Sequence, residues 1–153
     1  MGKLNFYNPG TRDIRPELFN DFAESIAKTF ASVKESEDFK THKIKTFRNG
    51  VTSTQLRKLF DEVKRYQRII KEGDEKSWKE NFPYIKMIKA KTHYTIARAK
   101  KNDGKNAEYY DKVLSFISDG IDAIENYQDY SVFTALFESV YGYYYENRPD
   151  NNK

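Results

Sequence analysis

Apolar residues recur at intervals of three and four along most of the chain, the period of an α-helix with one buried face. Pro16 occupies a favoured first helical position, and Leu18, Phe19, Phe22, Ile26 and Phe30 predict a helix from there to about Ser32. Residues 34–50 break the pattern. They are polar and irregular, and Asn49-Gly50 between short alternating segments is a hairpin signal that only two preceding apolar residues support. Thr52 and Gln55 then fit a capping box, with Val51 and Leu56 at the staple positions. Leu56, Leu59, Phe60, Val63, Tyr66 and Ile70 form the apolar face of a second helix that Gly73 closes.

A short helical turn is expected around Trp78, and Pro83 should start a third helix reaching about Lys101. Its inward residues are Ile85, Ile88, Thr92, Ile96 and Ala99. Asn102-Asp103-Gly104 is a turn, after which Asn106 caps a fourth helix to about Asn126. Tyr110, Val113, Leu114, Ile117, Ile121 and Ile124 are its stripe, weakened at Gly120 by roughly 1 kcal/mol relative to alanine. A fifth helix, from about Asp129 to Glu146, carries Phe133, Phe137, Val140, Tyr141 and Tyr144. Every linker is short except residues 34–50, and no repeat is visible. The pattern therefore predicts an all-α fold: a single compact bundle of about five helices over residues 1–146, with a disordered polar tail at 147–153.

Composition narrows the chemistry. The 153 residues suffice for one domain with a modest core, and that core must lean on aromatics, since 12 Tyr, 11 Phe and one Trp make up 16% of the chain. No cysteine is present, which excludes disulfides, thiol chemistry and cysteine zinc sites. No window approaches a membrane span, and the N-terminus has no signal-peptide core, so a cytoplasmic protein without membrane contact is expected.

The net charge of +4 conceals a segregation. Residues 1–39 carry a balance of −2, residues 40–105 one of +12, and residues 106–153 one of −6. A basic middle and an acidic end are compatible with a polyanion partner, or with the two halves pairing within a chain or between copies.

Catalytic constellations are scarce. His42 and His93 fall on different elements, and neither has a carboxylate or second histidine at metal-binding spacing. No phosphate loop or nucleophile elbow occurs. Asp61-Glu62 and Asp119 with Asp122 read as solvated helix surface. No enzyme, metal or cofactor is expected.

The third helix is the most informative element. No acidic residue occurs from Asn81 to Asn102, whereas Lys86, Lys89 and Lys100 lie with His93 opposite the apolar stripe. Lys91 and Arg98 form a second edge with Tyr94 between them. Like charges so placed repel unless an anion neutralises them, and phosphates would do so with release of counterions. On the second helix Arg57, Lys64, Arg68 and Lys71 share an arc, and Lys58 and Arg65 form another row; Asp61 and Glu62 interrupt both. Gln55 suits a cap or a base contact, and Tyr94 suits stacking on a base or packing at the core's edge. Tyr141 and Tyr143 to Tyr145 cannot all face inward, and in an acidic segment they suggest a protein interface.

Taken in order, Gln55-Leu56-Arg57-Lys58 after a Ser/Thr turn, Lys91-x-x-Tyr94-x-x-x-Arg98, and Phe133-x-x-x-Phe137-Glu138 before a late Tyr resemble the small subunit of type III-A CRISPR effector complexes over about residues 48–145. Ala90 stands where that family would have Pro, and Thr92-His93 replace small apolar residues. The resemblance implies a non-catalytic, RNA-binding subunit of an antiviral defence complex. Its copies would stack along a backbone filament and hold target RNA against the guide by phosphate contacts. Its partners would be guide and target RNA, the other subunits and further copies of itself. Carried over by position, Arg57, Lys91 and Arg98 are the expected backbone contacts, then Gln55 and Tyr94. The other classes compatible with the chain are a helical DNA-binding regulator and a protein-binding scaffold without nucleic acid.

Overall fold

In the computed structural model residues 4–150 are described, so expectations for residues 1–3 and for the last three residues of the tail lie outside them. A π-helical turn, Leu18–Phe22, leads into α1 (Ala23–Ala27). Then come β1 (Ala31–Glu37), β2 (Ile44–Gly50), α2 (Ser53–Lys64), α3 (Glu75–Asn102), α4 (Ala107–Ala123) and α5 (Tyr127–Tyr145).

The all-α expectation needs correction, because a two-stranded antiparallel hairpin interrupts the helices. The first helix stops at Ala27 rather than near Ser32. Phe30 turns into the core, fully buried with its ring 5.8 Å from that of Phe116, and the chain leaves the bundle as β1. The hairpin expected with its turn at Asn49-Gly50 does not form, because both residues end a strand that pairs backward with β1 and the chain then enters α2. Gly50 pairs with Ala31, and the reversal falls at residues 38–43. A side chain at Gly50 would meet the Ala31 backbone at 2.5 Å, and its φ of +140° disfavours L residues, so only glycine closes the ladder here. Asn106, expected to cap α4, instead accepts from the Gly50 N–H at 3.0 Å and donates to Asp103, tying the hairpin base to the α3–α4 turn.

Thr52 caps α2 as its sequence context requires, Oγ1 accepting from the Gln55 N–H at 3.3 Å. Leu56, Leu59, Phe60 and Val63 are buried, as their spacing predicts. α2 ends at Lys64 and tightens into a 3₁₀ turn, Arg65–Gln67, well before Gly73. α3 starts earlier than expected. Asp74 caps it, and all 28 residues are continuous through Pro83. Proline inside a helix sacrifices one hydrogen bond. Trp78 offsets that loss by anchoring the turn before it, its ring 5.1 Å from Phe82 and about 6.4 Å from Tyr130.

α5 is the central element. Phe133, Phe137, Val140 and Tyr144 are fully buried, and Phe116 of α4 and Phe60 of α2 pack on Phe137 at 5.3 and 5.1 Å. Gly120 earns its place by proximity. A Cβ there would lie 2.1 Å from the Phe133 ring, so its lower helix propensity is exchanged for close packing of α4 on α5. The N-terminal segment is clipped to the start of α5, where buried Asp129 accepts from Tyr7 at 2.6 Å and Arg12 at 3.1 Å. Asn147 and Arg148 continue the chain in a turn, and the carbonyl of Arg148 receives the Arg48 guanidinium at 3.5 Å. No helix among the described residues is long and apolar enough to cross a membrane.

Candidate nucleic-acid interface

Capping at Thr52 sets the rotation of α2, so that its apolar stripe faces α5 and its basic rows face outward. Between α2 and α5 lies an open groove of about 1270 Å³. Five cations, Arg57, Lys58, Lys64, Arg65 and Arg68, line it against two carboxylates, Asp61 and Glu62. Tyr141 and Tyr145 form its aromatic wall. These tyrosines, read from the sequence as a protein interface, thus border the basic surface. The Arg57 guanidinium is 5.8 Å from the Tyr141 ring and 5.9 Å from that of Phe60, and its Nε meets Asp61 at 3.2 Å. One edge is taken, and the fork's remaining N–H groups can address an incoming oxyanion.

Across the ridge of α2, toward α3, two smaller grooves follow. One of about 310 Å³ brings together Gln55, Lys58, Tyr94 and Arg98 above Tyr110. The other, about 480 Å³, is apolar, with Met87 beside Lys58, Lys91 and Tyr94. Tyr94 is 64% exposed, which removes core packing as its role. Arg98 donates to the Tyr94 hydroxyl at 3.2 Å and lies 5.6 Å from its ring, so the two form one cation–aromatic unit at the surface. Lys58 borders all three grooves, and neither it nor Arg68 makes an ion pair among the described residues. Lys91, expected beside Arg98, reaches back to Glu62 at 2.7 Å and links α3 to α2.

The opposite edge of α3 is engaged within the protein. Lys86 donates to the Ile121 carbonyl at 2.7 Å. Lys89 pairs with Asp122 at 2.9 Å, and Lys100 with Asp111 at 2.7 Å. The structure therefore divides the eleven candidate residues. Gln55, Arg57, Lys58, Lys64, Arg68, Tyr94 and Arg98 share one surface, Lys91 bridges beneath it, and Lys86, Lys89 and Lys100 form a seam with α4. A signal for the seam was present, since Lys89 and Lys100 are eleven residues apart, as are Asp111 and Asp122. Equal spacing on antiparallel helices lets both pairs form at once.

The acid–base candidates do not converge. Asp61 is held by Arg57, Glu62 by Lys91 and Asp122 by Lys89. Partial burial raises the Asp119 carboxyl above its ordinary range, with Asp122 adding to the shift. His42 Nδ1 lies 3.6 Å from Glu37 on the hairpin, and His93 is exposed on α3. Among the described residues no cluster of His, Cys, Asp and Glu could hold a metal ion.

A family model described as Csm2 Type III-A matches residues 41–148, more than half of the chain. No curated protein and no solved structure matches.

Proposed function

The chain belongs to the Csm2 Type III-A family, small subunits of type III-A CRISPR complexes, and from that premise we propose that the surface across α2 holds target RNA by its phosphates. Arg57, Lys58, Arg68 and Arg98 are the phosphate contacts, and Tyr94 offers a face to an unpaired base. The observation that carries this reading is the division of the basic middle. Where α3 meets α4 its lysines are satisfied by the chain's own acceptors, whereas Lys58 on α2 and Arg68 just past its 3₁₀ extension make no ion pair among the described residues. Cations so placed lower their free energy by taking an external anion.

The subunit is structural rather than catalytic in this proposal, and it works in the cytoplasm. Recognition is independent of sequence, because guide pairing reads the bases and the protein reads the backbone. Further copies stack along the same complex, so that successive α2 surfaces follow one strand. Titration of the purified chain with single-stranded RNA at rising salt tests the contact. The expected result is weak binding whose logarithm falls by roughly 0.7 per phosphate held for each decade of salt. Binding that ignores salt overturns the proposal.

A further inference from the structure

The hairpin is the one part of the described chain that stands away from the bundle, and residues 34–47 are exposed throughout. Its two faces differ in charge. Lys34 lies opposite Phe47 and Ser36 opposite Lys45 in the register, and residues of equal parity along a strand share a face. The Asp38 N–H donates to the Lys43 carbonyl at 2.9 Å, which extends the ladder and adds Lys43 to the same side. Lys34, directly opposite, and Lys45, two residues along, thus flank a phenyl ring that is 50% exposed, and Lys43 lies further toward the turn on the same side, opposite Asp38. Glu35 and Glu37 point to the other side, where His42 approaches Glu37. Asp38 is occupied in the turn, accepting from the Lys40 N–H at 2.8 Å. At the tip Phe39 is 96% exposed.

Phe39 and Phe47 thus leave two phenyl rings on a basic, solvated stem, open to an occupant. Charge selects the occupant. From Phe39 to Phe60 the sequence holds no acidic residue, while Lys40, Lys43, Lys45, Arg48, Arg57 and Lys58 all occur. One acid-free stretch therefore runs from the hairpin tip into the α2 surface. Aromatic rings interleaved with cations suit single-stranded nucleic acid, whose bases stack while its phosphates are neutralised. β1 lies outside residues 41–148, so the stem is not contained in the family match.

We propose that the β1–β2 hairpin is a second RNA-binding element, in which Phe47 and Phe39 stack on unpaired bases and Lys34, Lys43 and Lys45 hold the flanking phosphates. This rests on the reading that the α2 surface holds RNA, and it extends that surface along the same strand.

The test uses the full chain, an oligouridylate and the matching abasic ribose-phosphate strand. The unaltered protein should bind the oligouridylate at least about thirtyfold more tightly than the abasic strand. Phe39→Ala with Phe47→Ala should reduce that preference to the share Tyr94 contributes and leave the abasic affinity unchanged. Lys34→Ala with Lys45→Ala should lower the salt slope by about 1.4, two phosphates' worth on a single strand. Circular dichroism melting checks that all variants fold; if the phenylalanine variant does not, the lysine variant's slope decides. Arg57→Ala with Arg98→Ala separates the two readings. Loss of affinity there, with the hairpin variants unaffected, overturns the hairpin proposal and leaves the α2 reading standing. Loss only in the hairpin variants does the reverse. Hairpin variants that bind RNA normally but fail to assemble with the other subunits identify a protein contact and overturn the proposal.

Discussion

The two edges of α3 carry the same kinds of side chain and meet different fates. On the α4 side Lys89 and Lys100 find Asp122 and Asp111 at 2.9 and 2.7 Å, and Lys86 finds a backbone carbonyl. On the α2 side Lys91 pairs with Glu62, whereas Arg98, among the described residues, meets only the Tyr94 ring and hydroxyl, beside a Lys58 without an ion pair there. A run of cations on one helix is therefore two objects. Half of it is a strut that joins acidic and basic segments of one chain. The other half is a surface whose charge is still available. Long-range electrostatics would see only a net positive middle, and local geometry decides which half attracts a polyanion.

The substitution with the largest effect strikes both edges at once. Ile88 is 1% exposed on the buried face of α3, between the seam and the groove. Ile88→Asp places an unpaired carboxylate in that core and should cost more than about 4 kcal/mol, enough to abolish cooperative melting by circular dichroism. A variant that still melts cooperatively near the native temperature would show that α3 does not join the two regions.

Charge reversal in the groove should separate binding from folding. Arg57→Glu with Arg98→Glu should reduce single-stranded RNA affinity by at least about a hundredfold, since charge-assisted contacts contribute roughly 1.5–3 kcal/mol each. Melting should move by no more than about 1 kcal/mol, as both side chains lie at the surface and Arg57 gives up a solvated i,i+4 pair. If the variant binds normally, the comparison fails on the side where charge was thought available.

The seam should respond the other way. Lys89→Glu sets a carboxylate against Asp122, where the ammonium now sits at 2.9 Å. The pair is half exposed, so the loss is about 1 kcal/mol of stability, screened by added salt. RNA affinity should stay within about twofold of the unaltered chain, measured in the same titration. A large loss of affinity with intact melting would move the RNA contact to this edge.

How much of this was legible can be argued from particular residues. Thr52 and the Leu56 stripe were, because capping and periodicity are local. The hairpin was not. Asn49-Gly50 suggested a turn where a strand in fact ends, and the partner strand, Ala31 to Glu37, lay in a segment read as helix end and irregular loop. Strand pairing is a relation between segments, and the pattern of one segment does not carry it. The continuity of α3 through Pro83 was hidden for a similar reason, since Trp78 stabilises that turn through Phe82, Tyr127 and Tyr130. Among the candidate residues, the surface placement of Arg57 and Arg98 follows from helical faces alone. The diversion of Lys86, Lys89 and Lys100 required matching spacings across two helices, a test that periodicity within one helix never makes.

Lys91 is the residue on which the two halves of the comparison meet, and the smallest expected effect is the one that assigns it. Its position beside Arg98 and Tyr94 suits a phosphate contact, whereas its ammonium, 2.7 Å from Glu62, suits a strut between α2 and α3. Lys91→Glu alone cannot distinguish these, because it both removes a cation and opposes two carboxylates. Exchanging the charges, Lys91→Glu with Glu62→Lys, restores the pair and keeps the net charge. A strut is indifferent to which helix bears the positive end, so stability should return to within about 0.5 kcal/mol of the original, with the single variant lower by about 1 kcal/mol. Affinity for RNA should be recovered along with stability, because the exchanged ammonium still borders the groove that Glu62 now lines. The measurements are melting and salt-dependent RNA titration on the single and the exchanged variants. Recovery of melting without recovery of affinity would place Lys91 itself on a phosphate, and the boundary between strut and surface would then run along α3 one turn nearer to the seam.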